Sequence, residues 1–392
     1  MKEITTILQA FAEIQHDAES SFLATVVNVK GSTYRRPGAR MLMTQTGSMI
    51  GMISGGCLEN DVFEHTRVSM PDGRPILITY DSTADEDIVW GFGLGCNGVV
   101  QILIERLDKG DLFNPLVFIQ ECFDQQQLGA IATVFGVEGV IDVNVGERLI
   151  LKPDNHITTN ISEYSLKSAL IQDAQVALQN QNSAINKYQL SLGSVDVFIE
   201  VIQPPVHLII FGAGQDALPT VQFAKALGWQ VTIVDCRANE ATKERFTIAD
   251  EVLLSRREIL HKQISVNEQT IAVVMTHNYL DDLEIIKMLL PSSAKYLGIL
   301  GPKRRTEKLL QDLNTAGVEY TPEQLEKLHS PIGLDIGADT PEAIALSMIS
   351  EIQAVLTNRS SGFLKNRILP IHQQNEIKEI SIQPLQKLLT SD

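Results

Sequence analysis

Two short stretches place a thiol among glycines. In MISGGCLEND (52–61) Cys57 follows Gly55 and Gly56 and precedes a helical pattern, and in GFGLGCNGV (91–99) Cys96 sits in a loop with glycine at four of the first eight positions. A thiol at a helix N-terminus faces the positive end of the helix dipole, which favours its nucleophilic, metal-binding form, and flanking glycines leave the sulfur approachable. The opposing reading is a small apolar residue filling a tight turn, with Glu59 two positions on working against an anionic sulfur. Cys122, in an apolar stretch, and Cys236 read as structural.

A third stretch, GSTYRRPGARM (31–41), gathers Arg35, Arg36 and Arg40 with Ser32, Thr33 and two glycines. Guanidinium forks, hydroxyls and open backbone amides together suit an anionic, oxygen-rich ligand such as a phosphate. A solvated hairpin is the plainer account of the same residues.

A fourth stretch, LIIFGAGQDALPTVQFAKALGWQVTIVDCR (208–237), runs from an apolar strand into Gly212-Ala213-Gly214, a helix, and a second strand ending in Asp235. Glycines that turn the chain onto a helix N-terminus, with an acid about 20 residues further on, form the dinucleotide-binding fingerprint. Ala217 stands at its third small position. Asp216 opposes it, because a carboxylate there repels a phosphate, and a strand-to-helix turn needs such glycines even without a ligand. His277, ending another strand, and the Lys303-Arg304-Arg305 cluster belong to the same edge of a parallel sheet, where ligands of such sheets collect.

The elements that hold these residues divide at QPPV (203–206), whose prolines break any strand or helix. Before it the pattern predicts a helix over 3–16, strands over 22–29, 41–44, 49–53, 76–80, 99–105, 129–135, 184–192 and 197–202, and helices over 57–69 and 163–180, giving a mixed α/β domain with antiparallel pairing. After it, strands over 207–211, 230–235, 271–276 and 296–299 alternate with helices over 217–227, 280–290 and 303–316, which predicts a Rossmann-like parallel sheet. Thr340 as cap, Pro341 at the first position and Glu342 in the first turn start a last helix. The expected organisation is a domain over 1–203, a second over 206–356, and a loosely packed tail over 357–392.

A net charge of −16 with no basic stripe argues against nucleic acid. Four widely spaced cysteines with no CxxC pair fit neither a zinc ribbon nor a disulfide scaffold, and no run approaches the roughly 20 apolar residues of a membrane span. With no secretory pattern at the N-terminus, a reducing cytoplasm is the default.

The order of GSTYRRPGARM, GMISGGCLEND, GFGLGCNG, the FGAGQDALP to VDCR segment, MTHN, LGILGPKRR and GLDIGADTPEAIALSMISEI resembles that of the XdhC/CoxI family, accessory proteins of xanthine dehydrogenase and carbon monoxide dehydrogenase. The likeness runs from about 29 to 356. It implies a family-specific N-terminal domain, a C-terminal Rossmann domain and a homodimer. It also implies an accessory role: binding the molybdenum cofactor, supporting its sulfuration with a cysteine desulfurase, and passing it to the apo-form of a xanthine dehydrogenase-like molybdenum hydroxylase. The family's motif cysteine falls on Cys57 and the second glycine-rich cysteine on Cys96. Arg35, Arg36 and Arg40 would hold the pterin phosphate, and Gly55 and Gly56 would let the pterin approach. The alternatives are an NAD(P)-dependent oxidoreductase using Gly212, Gly214, Asp235 and His277, and a docking protein that only grips a partner.

Overall fold

Alternating side chains in the first two hundred residues build two sheets. The structure, a computed structural model, describes residues 1–17, 20–69, 73–82, 98–152, 154–237, 241–368, 371 and 377–382. It forms two compact units that part between Pro204 and Pro205, inside the proline pair.

In the first unit α1 (Lys2–Asp17) leads to β1 (Ser21–Gly31), β2 (Arg40–Thr44), β3 (Met49–Gly51), α2 (Glu59–Ser69), β4 (Ile76–Asp81) and β5 (Gly98–Leu107). These strands make an antiparallel sheet ordered β3-β2-β1-β5-β4. Then come α3 (Pro115–Asp124), β6 (Gly129–Gly139), β7 (Arg148–Leu151), β8 (Ile157–Thr159), α4 (Tyr164–Gln179), β9 (Ala184–Leu190) and β10 (Gly193–Ile202), with the strands in a second antiparallel run ordered β9-β10-β6-β7-β8. Period-two alternation sorts the core. Ala24, Val26, Met41, Met43, Ile102 and Ile104 pack on Leu58 and Val62 beside α2. The alternate residues Leu23 and Leu42 meet α1, α3 and Ile131, Ile150 and Ile202 of the second sheet. The far face of that sheet buries Ala130, Leu149, Val197 and Ile199 against Leu166, Leu170 and Ala174 of α4. Helix α3 was not among the expected elements, although Asn114 caps it through Leu116 N–H and Pro115 opens it.

The second unit contains β11 (His207–Phe211), α5 (Ala217–Ala226), β12 (Gln230–Asp235), α6 (Ala241–Arg245), β13 (Glu251–Leu254), α7 (Leu260–Gln263), β14 (Thr270–Val274), α8 (Tyr279–Leu289), β15 (Tyr296–Ile299), α9 (Lys303–Thr315), α10 (Pro322–Glu326), β16 (Leu328–His329) and α11 (Pro341–Leu356). All its strand pairs are parallel, in the order β13-β12-β11-β14-β15-β16. Both faces are covered, so the strands are apolar throughout. Leu208, Ile210 and Val231 pack toward Val221 of α5 and Met348 of α11, and Ile209, Phe211 and Val274 toward Ile285 of α8 and Leu309 of α9. The expected cap of α11 is present, with the Thr340 side chain accepting from Ala343 N–H.

The stretch over 357–392 is not wholly a loose tail. Strand β17 (Lys378–Ser381) returns to the first unit and pairs parallel with β9, and Ile380 packs on the core beneath α4. Among the described residues no helix is long and apolar enough to cross a membrane.

Two ion pairs bridge the facing sheets of the first unit at positions where alternation alone calls for apolar side chains. Arg40 on β2 forks onto Glu200 on β10, with Nη1 to Oε1 at 2.9 Å, and Arg148 on β7 pairs with Glu105 on β5. All four side chains are 12% exposed or less. Removing one partner of a buried pair leaves the other charge uncompensated, at about 3–5 kcal/mol, whereas replacing both with apolar residues of similar volume is close to neutral. Urea denaturation of Glu200→Leu should therefore show a loss of about 3 kcal/mol or more, and the double variant R40M/E200L should recover most of it.

Candidate functional site

The arginine loop, the Cys57 loop and the described ends of the β4–β5 connection meet at one edge of the first sheet. β1 outruns β2: Thr25 faces Arg40 at the start of β2, while β5 continues beside β1 as far as the pair Gly31 and Gly98. The arginine loop, the Cys57 loop after β3 and the connection between β4 and β5 all begin or end there. Ser82 and Gly98 close the base of that connection: Gly98 N–H donates to Ser82 Oγ at 3.1 Å and Ser82 Oγ donates to Gly98 O at 2.8 Å. Gly98 is packed so tightly on the arginine loop that a Cβ would stand 2.5 Å from Lys30 O and 2.9 Å from Thr33 Cγ2. Cys96, two residues earlier, lies outside the described residues.

Residues 53–58 form a turn closed around its own side chains. Ser54 Oγ accepts from the N–H groups of Gly56, Cys57 and Leu58, each at 3.1 Å. The Glu59 carboxylate folds back to accept from Ile53 N–H at 3.2 Å, Ser54 N–H at 2.9 Å and the Ser54 hydroxyl at 2.5 Å. Burial raises the Glu59 carboxyl, but these hydrogen bonds outweigh it and hold the group below its ordinary value of 4.5. Its contribution to the turn is therefore present above that value and lost in acid, as pH falls through the lowered one. Glu59 is thus engaged by the backbone, and Cys57, just ahead of α2, is exposed with Sγ 3.5 Å from Ser54 Oγ. Gly56 takes φ of +104° with open space beside it, and Gly55 lies under the ring of Tyr34, a residue 68% exposed. That contact brings the arginine loop against the cysteine loop.

The three arginines have separate fates. Arg40 is buried, forked onto Glu200 and donating to Gly38 O at 2.9 Å, so its guanidinium serves the fold. Gly38, at φ of +93°, passes so close over this pair that a Cβ would meet Glu200 Oε1 at 2.7 Å. Arg35 pairs with Glu3 of α1 at 2.5 Å. Arg36 makes no ion pair among the described residues, and its Nε is buried without a hydrogen-bond partner.

In the second unit the strand order reverses between β11 and β14, the crevice where ligands of doubly wound sheets bind. Here the fingerprint residues are engaged within the unit. A Cβ on Gly212 would stand 2.3 Å from Met275 O, so this glycine permits backbone packing at the end of β14. A Cβ on Gly214 would meet Asp216 Oδ1 at 2.2 Å, because Asp216 lays its carboxylate over the glycine and reaches His277 Nε2 at 2.7 Å. His277 itself adopts φ of +57°, a conformation uncommon outside glycine. Asp235 is buried and accepts from Thr242 Oγ1 at 2.6 Å and Arg237 N–H at 3.0 Å. Of the basic cluster at the start of α9, Arg305 pairs with Asp282 at 2.6 Å. Among the described residues no group of three His, Cys, Asp or Glu side chains is arranged to hold a metal ion.

Burial pushes the thiols of Cys122 and Cys236 up to about 12. The thiolate is the reacting form, so these two should be alkylated on the order of a hundredfold more slowly than exposed Cys57 at pH 8. Peptide mapping after timed iodoacetamide labelling of the folded protein would check it, and equal labelling of Cys57 and Cys122 would contradict the exposed turn.

Two family models match this chain: one described as the XdhC Rossmann domain over residues 208–352, and one described as the XdhC and CoxI family over 14–81 and 122–189. A Bacillus subtilis protein described as a probable subunit of xanthine dehydrogenase is 32% identical over 90% of this chain and 97% of its own. The Escherichia coli molybdenum cofactor insertion chaperone PaoD is 20% identical over 89% and 88% of the two chains. The crystal structure of a xanthine dehydrogenase from Bacillus halodurans superposes with a TM-score of 0.71 at 27% identity, covering 91% of this chain and 97% of that one. The chain belongs to the XdhC and CoxI family.

Proposed function

We propose that this protein binds the molybdenum cofactor at the loop edge of its first unit and delivers it to a xanthine dehydrogenase-type molybdenum hydroxylase. The observation that carries this reading is the contact between two loops, one bearing an exposed thiol and the other an unpaired guanidinium: Cys57 is presented on a turn held by Ser54 and Glu59, and the loop bearing Arg36 touches that turn through Tyr34 and Gly55. A soft sulfur suits molybdenum, and a guanidinium fork suits a phosphate. Arg36 is the arginine free to take the phosphate, while Arg35 would have to leave Glu3 and Arg40 is retained by Glu200. Gly55 and Gly56 leave room for the metal-bearing end of the cofactor to come near the backbone, with the Tyr34 ring beside Gly55. The names borne by the Bacillus subtilis and Escherichia coli relatives support a maturation role.

The same reading extends to sulfuration. A cysteine desulfurase would supply the sulfur to cofactor held here, and Cys57, with Cys96 as the second family cysteine, would touch the molybdenum or its sulfur. The working form would be a homodimer, with twice the 43.3 kDa chain mass by light scattering.

Anaerobic equilibrium binding, read as pterin fluorescence after oxidation of the retained cofactor, tests the proposal. Cys57→Ala and Arg36→Ala should each lower retention at least tenfold while leaving urea stability within about 1 kcal/mol, since Cys57 is exposed and Arg36 has no ion pair to lose. Full retention in Cys57→Ala would return the cysteine to the role of turn filler.

The competing reading, nucleotide binding by the second unit, draws on the strand order and on Gly212, Gly214 and Asp235. It requires Asp216 to leave Gly214 and His277, because a carboxylate at the N-terminus of α5 repels phosphate. In an NADH fluorescence titration Asp216→Ala should bind at least tenfold more tightly than the unaltered chain. Saturable micromolar binding by the unaltered chain would put the dinucleotide reading first.

A further inference from the structure

A cleft of about 620 Å³ opens between the two sheets of the first unit and has no part in the account above. Its volume suits a small heterocycle. Asn28 to Gly31 of β1 and Gln101 of β5 line it from the first sheet, and Phe135 of β6, Lys187 of β9, Asp196 of β10 and, in the C-terminal stretch, Ile377 and Glu379 from the second.

The polar groups of this cleft are unevenly satisfied. Asn28, only 2% exposed, donates through Nδ2 to Gln101 Oε1 at 2.7 Å, but its Oδ1 is buried with no donor. A buried acceptor left unpaired costs about 1–3 kcal/mol. Asp196 is half-buried and makes no hydrogen bond or ion pair among the described residues, and burial raises its carboxyl above the ordinary value despite the fields of Lys187 and Lys30. Lys187 is committed to Glu138 at 3.1 Å.

Both acceptors sit at irregularities in the sheets. The register of β1 against β5 shifts between Val26 and Asn28, and that of β10 against β6 shifts between Asp196 and Val197. Bulges re-aim side chains and concentrate beside functional sites. Here one precedes Asn28 and the other follows Asp196, and the Asp196 carboxylate lies 2.8 Å from where a Cβ on Gly136 would be. The unpaired acceptors Asn28 Oδ1 and Asp196, with the exposed Glu379 carboxylate at the same cleft, call for a ligand edge made of N–H donors.

We infer that this cleft takes the amino-oxo pyrimidine edge of a pterin, with the ring N–H and exocyclic amine donating to Asp196 and Asn28 Oδ1 beside Phe135. The inference rests on the cofactor-binding reading, which it deepens by giving the pterin end its own pocket. Gly31 lines the cleft and also opens the arginine loop, so the cleft and the loop bearing Arg36 share a residue. Lys30, next to Gly31, also lines the cleft and supplies a positive charge for the ligand's oxygens.

Titration of the full chain with pterin and with lumazine, which carries an oxo group in place of the exocyclic amine, tests it by ligand fluorescence. Pterin should bind with one-to-one stoichiometry and at least tenfold more tightly than lumazine. Asp196→Asn should weaken pterin at least tenfold and erase the preference. Equal affinity for both ligands, no binding of pterin, or an unaltered preference in Asp196→Asn overturns the inference. The same variants are assayed for retention of complete molybdenum cofactor. Retention that is independent of Asp196 overturns the cleft and leaves the cofactor-binding reading standing, whereas selective pterin binding without any retention of complete cofactor overturns that reading and leaves the cleft.

Discussion

The buried fork between Arg40 and Glu200 is the constraint on which the first unit is arranged. It ties the first strand of a hairpin to a strand of the opposite sheet, across an interior built mainly of apolar side chains. Because Arg40 must point inward, the preceding loop crosses directly over the pair, and Gly38 is the residue small enough to let it pass. The loop then presents Arg36 and Tyr34 at the sheet edge, beside the Cys57 turn. The second pair, Glu105 with Arg148, holds the same two sheets together at another position. A buried ion pair adds little net stability, but it penalises any other register of the sheets, since a slip would strand a charge in the core.

The turn that carries Cys57 follows a similar economy. Five backbone N–H groups over 53–58 find their acceptors in Ser54 and Glu59, so the segment is ordered without a ligand. A side chain on such a turn loses less freedom on binding than one on a floppy loop, which suits a group that must hold a partner atom in one place. The thiols of Cys122, which is buried, and Cys236, which is partly buried, are pushed up by that burial, away from the reactive thiolate.

The Rossmann-like unit separates fold from ligand. Its glycines satisfy close contacts with Met275 and Asp216, and its acid at the end of β12 is held by Thr242 and Arg237. The sequence signature of a dinucleotide site is thus present with each of its residues already committed, and Asp216, the departure from the usual pattern, is the residue that covers the crevice.

The sequence by itself determined the parallel alternation after the prolines and the strands over 207–211, 230–235 and 296–299, because apolar runs bounded by glycine, proline or a cap depend on local preferences alone. The start of the helix at Pro341 was legible for the same reason. Helix α3 was missed although Asn114 and Pro115 announce it, and β17 was missed because four residues of modest hydrophobicity become a strand only where β9 offers an unpaired edge. Motif spacing brought forward Cys57 and the three arginines. Only the tertiary structure decided that Arg40 is a structural residue, that Arg36 is unpaired, and that Asn28 and Asp196 line one cleft. Those outcomes depend on which side chains from residues a hundred or more positions apart come to face one another, and burial and pairing across that distance leave no trace in local spacing.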